Sequence, residues 1–284
     1  EIAIHLAQEG KEVALVETGD FIVDEMYLNG NQLILITRGN KDQPVFSEPA
    51  AVSNKMIADI AYPYYGGSQL AKVFVYDLKD IKNIKEVKSF EIDGNISNSR
   101  KVGNQLYIIS SSYASKDGDT YTMPTYKDSS NGKTASLDLA TMCYLPESLS
   151  RSVTTITGIQ LNKLSEPASM TSYLGDSGTI YMSTGNLYIT TQTYDYSGNR
   201  LYASTTRTNI YKFSLNNGKT TFTARGKVDG NVLNQFSMDE YDGYFRIATT
   251  TWPYSGNRAN NMFALDDKLA KVGKLTNIAL NENI

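Results

Sequence analysis

The segment DGYFRIATTTW (242–252) carries the pattern on which the fold depends. It opens with Asp-Gly, a dipeptide that supplies the positive φ angles of a two-residue hairpin turn. Apolar and polar residues then alternate along a strand, and this alternation predicts that Phe245, Ile247 and Thr249 face a core. Three other segments align with it, each at a turn dipeptide: NQLILITRG (31–39), NQLYIISSS (104–112) and GNLYITTQT (185–193).

Each aligned strand is the second of four in a repeated unit. The predicted turns before it are Asn29-Gly30, Gly103-Asn104, Gly185-Asn186 and Asp242-Gly243. In each unit one β-rich run precedes this turn and two follow, for example NVLNQFSMDEY (231–241), NNMFALD (260–266) and AKVGKLTNI (270–278). Helical periodicity is nearly absent, so the chain is predicted to be all-β. Tyr107 and Ile109 in the second unit are predicted to pack between units, as Phe245 and Ile247 do.

Four-stranded antiparallel units repeated in series are typical of a β-propeller. We expect a single propeller domain over 1–284, with four complete blades and half of another. The expected boundaries are 1–20 for the half blade and 21–93, 94–175, 176–230 and 231–284 for the blades. Because an open fan of blades leaves sheet faces uncovered, we expect a fragment of a larger ring. Further sequence, a partner chain or a compact closure that the strand count does not foresee would close it.

The loop over 113–152 is long and polar, with Ser, Asp, Lys and Thr predominating. Such a composition predicts a mobile or disordered segment. The chain opens at Glu1 with no signal peptide, and we expect it to be a piece of a longer protein.

The composition excludes several classes of function. Net charge is −3 and no Lys/Arg block occurs, so no nucleic-acid partner is expected. The single histidine, His5, and the single cysteine, Cys143, exclude zinc sites built from several His or Cys ligands. Cys143 is interpreted as an inert buried thiol, and GDSG (175–178) as a turn rather than a nucleophile motif. No apolar run reaches the length of a membrane span.

Parts of the chain resemble a known family. These are GTIYMSTGNLYIT (178–190), VLNQFSMDEYDGYFRIATT (232–250) and LDDKLAKVGKL (265–275). They are similar to the secreted β-propeller-domain family of bacteria and archaea, whose C-terminal propeller is distantly similar to WD40 repeats. The resemblance implies a propeller fold and an extracellular or cell-envelope location. It implies no activity and no catalytic residues, and the acidic motif usual before the first blade is missing.

The acidic cluster of Asp239, Glu240 and Asp242 has three interpretations. Clustered hard oxygen ligands are suited to calcium, although the spacing of a dedicated calcium loop is missing. Two carboxylates across a cleft would serve a glycosidase, but neighbours on a strand point to opposite faces. In the third interpretation the cluster is a hairpin corner, where Asp239 or Glu240 bonds backbone N–H groups or pairs with Arg246 across the hairpin.

Aromatic and arginine residues meet at the outgoing ends of two consecutive aligned strands. These residues are Trp252, Tyr194, Tyr196, Tyr254, Arg200 and Arg258. Stacking and forked hydrogen bonds from such residues would bind a sugar or a peptide. The alternative is loop packing by amphipathic tyrosines in a Tyr-rich chain.

Two classes of function remain open. The sequence favours a non-catalytic extracytoplasmic binding or scaffolding module for a protein, peptide or glycan, with no cofactor unless calcium binds. The other class is a carbohydrate-active hydrolase whose carboxylates converge on the propeller axis. An enzyme would require carboxylates from two blades in one pocket with shifted pKa values.

Overall fold

The computed structural model describes residues 2–5, 12–41, 69–117, 119–148, 150–195, 205–252 and 258–282. Within these ranges the strands are β1 (Ile2–His5), β2 (Glu12–Val16), β3 (Ile22–Asn29), β4 (Gln32–Asn40), β5 (Gln69–Asp77), β6 (Lys85–Asp93), β7 (Asn95–Val102), β8 (Gln105–Tyr113), β9 (Ser115–Asp117), β10 (Thr120–Thr122), β11 (Thr125–Asp128), β12 (Thr134–Ser136), β13 (Cys143–Tyr144), β14 (Ser152–Gln160), β15 (Ser169–Leu174), β16 (Ile180–Met182), β17 (Asn186–Asp195), β18 (Thr205–Asn216), β19 (Lys219–Asp229), β20 (Met238–Tyr241), β21 (Tyr244–Thr251), β22 (Ala259–Leu265) and β23 (Lys271–Ile278). Two short 3₁₀ helices, Leu139–Thr141 and Gln235–Ser237, accompany them. The all-β prediction is confirmed over the described residues.

The chain divides into two compact units. Unit 1 consists of Glu1–Asn95 and Pro124–Ala135, and unit 2 of Ile96–Met123 and Ser136–Ile284. The segment 94–175, expected to be one blade, therefore includes a stretch that belongs to unit 1.

Unit 1 contains a six-stranded sheet, which we call the first sheet, in the order β12-β11-β6-β5-β4-β3. The antiparallel pair β1 and β2 forms a separate two-stranded sheet. Apolar side chains of this pair and of the first sheet share one core, formed by Val16, Leu33, Leu35, Phe74 and Tyr76 with partly buried neighbours such as Ile2 and Ile4. Burial of this apolar area is the main stabilising contribution, as in any domain core.

The outer edge of the first sheet is built from the long polar loop. Strand β11 pairs antiparallel with β6, so that Asp128 lies opposite Phe90. The Asp128 carboxylate accepts a hydrogen bond from Lys88 Nζ at 2.6 Å, and the two side chains are only 1% and 3% exposed. Because a buried charge is stable only when paired, this ion pair fixes the inserted strand. The prediction of a mobile or disordered loop is therefore wrong for these residues.

Unit 2 contains three larger sheets and the β9–β10 hairpin. The second sheet has the order β13-β15-β14-β8-β7, the third β16-β17-β18-β19 and the fourth β20-β21-β22-β23. One core joins the second and third sheets and includes Tyr107, Ile109, Tyr211 and Phe213. Another joins the third and fourth sheets and includes Tyr188, Phe245, Ile247 and Phe263. Packing between neighbouring four-stranded repeats was predicted for Tyr107, Ile109, Phe245 and Ile247, and it is confirmed. Thr249 is also buried.

The second and third sheets approach unusually closely at Gly158 in β14. A Cβ atom at this position would lie 1.8 Å from the carbonyl oxygen of Gly218 in the β18–β19 turn. The Gly218 N–H also donates to the Tyr107 hydroxyl oxygen at 3.2 Å. Only glycine fits at 158, because a side chain there would push the two backbones apart.

The hairpin that opens the fourth sheet has the predicted turn. Asp242 and Gly243 both have positive φ, 50° and 78°, between the paired residues Tyr241 and Tyr244. Gly103-Asn104 likewise separates β7 from β8. The other two turns are displaced by one residue. Gly30-Asn31 lies between the paired residues Asn29 and Gln32. Thr184-Gly185 lies between Ser183 and Asn186, where the Ser183 N–H donates to the Asn186 carbonyl at 2.9 Å.

The run predicted as a strand over 231–241 is shorter in the structure. Met238–Tyr241 forms the strand that pairs with β21, and a 3₁₀ turn, Gln235–Ser237, precedes it. Asn231 pairs with Thr250 only as an isolated bridge. The Asn234 side chain accepts from the Phe236 N–H at 2.9 Å and so caps this turn. Asn competes in this way with extended pairing, which explains the shorter strand.

Candidate functional site

Three exposed aromatic side chains occupy equivalent positions in the three larger sheets of unit 2. Tyr113, Tyr194 and Trp252 each follow the nine aligned residues that begin at 104, 185 and 243. They lie at the outgoing ends of β8, β17 and β21, and are 74%, 52% and 65% exposed. We call these three residues the aromatic edge.

Hydrogen bonds place the ends of β17 and β21 at the same side of unit 2. Tyr194 is paired with Thr206 in the neighbouring strand. The Thr206 carbonyl accepts from Gly230 N at 2.8 Å, and the next residue, Asn231, exchanges two 2.8 Å backbone hydrogen bonds with Thr250. This short path leads from Tyr194 to within two residues of Trp252.

The second and third sheets are joined in the same way. Tyr113 is paired with Ser152, whose carbonyl accepts from Gly175 N at 2.9 Å. Three residues later, Gly178 N donates to the Thr190 carbonyl at 2.8 Å, in the middle of β17 and on the strand that leads to Tyr194. All three outgoing strand ends therefore lie along one side of unit 2.

Arginines accompany the aromatic edge. The Arg258 guanidinium lies 4.5 Å from the Trp252 ring centroid, which is a cation–π contact. Arg207 is paired with Thr193, next to Tyr194, and donates to Asp229 at 3.4 Å. Arg151 directly precedes the strand that pairs with β8. The aromatic edge therefore combines exposed aromatic rings with neighbouring guanidinium groups.

The structure describes half of the residues predicted for this site. Trp252 and Arg258 are in contact, and the Tyr194 hydroxyl donates to Gln192 Oε1 at 3.0 Å. Tyr196, Arg200 and Tyr254 lie outside the described residues. Sequence reasoning missed Tyr113, although its position in the aligned repeat matches those of Tyr194 and Trp252 and would have identified it.

The acidic cluster forms a hairpin corner. Asp239 receives two hydrogen bonds from the Arg246 guanidinium, directly across the β20–β21 pair. Glu240 points to the opposite face and accepts from Asn186 Nδ2 at 2.7 Å and the Tyr188 hydroxyl at 3.1 Å. Asp242 forms the turn. The predicted Asp239–Arg246 pair is thus confirmed.

The three carboxylates of this corner have different surroundings. A calcium ion shared by them would have to replace the contacts of Asp239 and Glu240. Within the described part of the chain, nowhere do three or more His, Cys, Asp or Glu side chains gather in an arrangement that could hold a metal ion.

Two carboxyl groups of unit 2, those of Glu147 and Asp267, have lowered pKa values and are stabilised in their charged form. A hydrogen bond from Lys227 holds the pKa of Glu147 below its usual value, and a hydrogen bond from Lys212 does the same for Asp267. A catalytic general acid requires the opposite shift. Both side chains are therefore suited to ion pairing rather than to proton donation.

Unit 1 contains a cavity of about 570 Å³ beside β5, β6 and β11. Its carboxylates Glu91 and Asp93 are engaged by lysines, with Lys72 Nζ 2.7 Å from Glu91 and Lys41 Nζ 2.9 Å from Asp93. Lys72 also lies 4.6 Å from the Phe74 ring centroid. Glu91 and Asp93, at this cavity, are therefore each paired with a lysine.

A family model described as "Beta propeller domain" matches residues 2–284. The chain belongs to this family. Membership confirms the β-propeller architecture predicted from the four-stranded repeats and from the resemblance.

Two relatives of this propeller chain are uncharacterized archaeal proteins. One, from Methanocaldococcus jannaschii, is 49% identical over 61 residues, which are 21% of this chain and 10% of the relative. The other, from Archaeoglobus fulgidus, is 42% identical over 79 residues, or 28% of this chain and 12% of the relative. The matched segments thus span about a tenth of the relatives' own length.

Among solved structures, the propeller chain is similar to the acylaminoacyl peptidase of Pyrococcus horikoshii. The alignment has 12% identity and a TM-score of 0.32, and covers 93% of this chain and 39% of that one. At this score the similarity says nothing further about the chain. None of the helical segments in the described ranges has the length and apolarity that a membrane crossing requires.

Proposed function

We propose that this chain is a non-catalytic binding module of a β-propeller protein, and that the aromatic edge is its ligand-contacting surface. The observation that carries the proposal is the recurrence of an exposed aromatic residue at the same position of three successive sheets. A single exposed aromatic needs no explanation, since isolated apolar residues are common on protein surfaces. Three in register, along one side of the unit, form a repeated contact surface.

A protein or peptide is the ligand best suited to this edge. Tyrosine, tryptophan and arginine are the residues enriched where proteins bind one another, because they combine large contact area with directed polar groups. Trp252 with Arg258 stacked on it supplies both. A glycan would also stack on exposed rings, and the test below includes it.

We also propose that the module acts outside the cytoplasm, as the family resemblance implies. Fractionation of the native cells, with antibody detection of the protein, tests this part separately. Recovery in the cytoplasmic fraction would contradict it and would leave the binding proposal unaffected.

Selection against a phage-displayed peptide library and a glycan array tests the binding surface. Binders of the wild-type chain are then measured against a triple variant, Tyr113→Ala, Tyr194→Ala and Trp252→Ala. We expect loss of at least roughly tenfold in affinity, since truncating central aromatic residues typically costs this much or more. A matched control removes exposed aromatics elsewhere in unit 2, namely Phe236→Ala with Tyr241→Ala.

Trp252 gives a direct readout, because it is the only tryptophan in the chain. A ligand that covers the edge shifts its emission to shorter wavelength, and the shift saturates with the binding curve. Binders that leave this emission unchanged, or that are lost equally in the control variant, would contradict the proposal.

A further inference from the structure

A cavity in unit 2, of about 250 Å³, combines basic side chains with a buried amide. It lies between strands β18 and β19 of the third sheet and the segment 146–147. Its lining includes Asn209 and Tyr211 of β18 and Arg225 and Lys227 of β19. These residues belong to a different surface from the aromatic edge, and the inference drawn from them does not depend on the proposed function.

Strand register brings the four side chains to one face. Asn209 is paired with Lys227, and Tyr211 with Arg225. Since alternate residues of a strand share a face, all four point to the same side of the sheet. Two cations therefore converge beside a polar side chain and a tyrosine hydroxyl.

The amide is a donor without a partner. Asn209 is only 5% exposed, and its Nδ2 has no hydrogen-bond partner among the described residues. Burial raises the pKa of Tyr211, and the nearby Asn209 side chain offsets part of this rise. The distance and angle between Asn209 Nδ2 and the Tyr211 hydroxyl nevertheless do not meet hydrogen-bond geometry. The Tyr211 hydroxyl itself donates to the Pro146 carbonyl. A buried N–H₂ donor beside a cavity is satisfied when an acceptor enters.

Glu147 already places one anion at this cavity. Its carboxylate accepts from Lys227, and Arg225 and Arg207 add to the depression of its pKa. Glu147 is half-exposed and has a φ of 64°, a left-handed conformation that is unfavourable for residues other than glycine. Arg225 has no ion pair with a described carboxylate. The site thus holds fewer negative charges than positive ones, and the resident anion is on an exposed side chain.

We propose that this cavity binds a small oxyanion, a phosphate, sulfate or carboxylate group, between Arg225, Lys227 and the Asn209 amide. Arginine forks and lysine point charges are the common protein ligands of such groups. Glu147 competes for the same cations and acts as an internal substitute when no ligand is bound. The cavity is large enough for one such group with several waters, each of which occupies about 30 Å³ in the liquid.

Titration of the 284-residue chain with sodium phosphate, sodium sulfate and sodium acetate at constant ionic strength tests the site. Nitrogen-edited NMR follows the Asn209 side-chain amide and the Arg225 Nε signal, and calorimetry gives the affinity. We expect saturable shifts at both groups. Saturation by phosphate and sulfate alone identifies a tetrahedral ligand, and saturation by acetate as well identifies a carboxylate.

Variants locate the binding. Arg225→Ala with Lys227→Ala should weaken binding by roughly tenfold or more, and Glu147→Gln should tighten it by several-fold, since a competing charge is removed. The control, Lys219→Ala with Lys274→Ala, removes two exposed lysines of unit 2 and should bind as wild type does. Circular dichroism checks that every variant is folded. Shifts that rise linearly without saturation, equal weakening in the control, or unchanged affinity in Glu147→Gln would overturn the proposal.

Discussion

The third and fourth sheets use the same position of the repeat in opposite ways. In the third sheet the cross-strand pair is Tyr181 with Tyr188, and the fourth sheet packs over it. The Tyr188 ring stacks on Phe245 with centroids 4.0 Å apart and planes within 10° of parallel. In the fourth sheet the equivalent pair is Asp239 with Arg246, exposed and joined by an ion pair.

The difference follows from what covers each face. A face that another sheet covers is occupied by tyrosines, whose hydroxyls form hydrogen bonds with partners such as the partly buried Glu240. Among the described residues, no sheet packs on the outer face of the fourth sheet, and charged side chains remain hydrated there at little cost. Its other residues include exposed Tyr241, Tyr244, Met262, Leu275 and Ile278.

The largest effect is expected from Tyr188→Ala. Removal of this buried ring takes away the stacking on Phe245 and leaves a cavity between two sheets. We expect the free energy of unfolding to fall by about 3–5 kcal/mol, as for other buried aromatic residues. Chemical denaturation measures the change. Tyr241→Ala, on the uncovered face, is the matched control, and an equal loss there would show that coverage does not decide the energetics.

A smaller effect is expected from Tyr188→Phe, which removes only the hydroxyl that donates to Glu240. A hydrogen bond to a charged group contributes about 1.5–3 kcal/mol, so the loss should lie in this range. Asn186 remains as a hydrogen-bond donor to Glu240 and limits the loss of stability. Denaturation at neutral pH measures the difference, and a loss as large as that of Tyr188→Ala would assign the stability to the hydroxyl rather than to the ring.

The raised pKa of Tyr188 predicts a loss of stability at alkaline pH. Burial, and secondarily the charge of Glu240, raises the pKa of Tyr188 far above its ordinary value of 10.0. Above pH 10 the unfolded chain therefore releases a proton that the folded chain keeps, and the free energy of unfolding falls as the pH rises. Tyr188→Phe should show a shallower decline between pH 10 and 11. Parallel curves for the two proteins would contradict this assignment.

The smallest effect is expected from Arg246→Ala on the exposed face. This substitution removes the Asp239 ion pair and the cation–π contact with Tyr241, whose centroid lies 5.1 Å from the guanidinium carbon. Exposed ion pairs are screened by water and salt. The thermal midpoint should change less than in either Tyr188 variant, and the change should shrink in high salt. A large, salt-independent loss would indicate that this face is covered in solution.

Much of the fourth sheet could be predicted from local sequence. Asp-Gly specifies its own turn geometry, and the alternation of Phe245 and Ile247 with polar residues assigns each side chain to a face. The position of Trp252 at an exposed strand end follows from the same alignment. These features depend on a few neighbouring residues, so a single segment is enough to read them.

The edge of the first sheet could not be predicted in this way. Strand β11 lies in a polar loop, and its stability comes from pairing with β6 and from the buried contact of Asp128 with Lys88, 40 residues away. A local composition that is typical of disorder does not report such a distant partner. The cavity around Asn209 is likewise formed only when the segment 146–147 reaches β18 and β19.

By itself, the sequence determined the all-β class, the repeated four-stranded units and the residues that alternate between faces, because turns and strand periodicity are local properties. The tertiary structure alone decided which polar loop becomes a strand, that Tyr113 lies along the same side as Tyr194 and Trp252, and which basic residues surround a buried amide. Those outcomes depend on contacts between residues far apart in the chain, whose energies no local pattern contains.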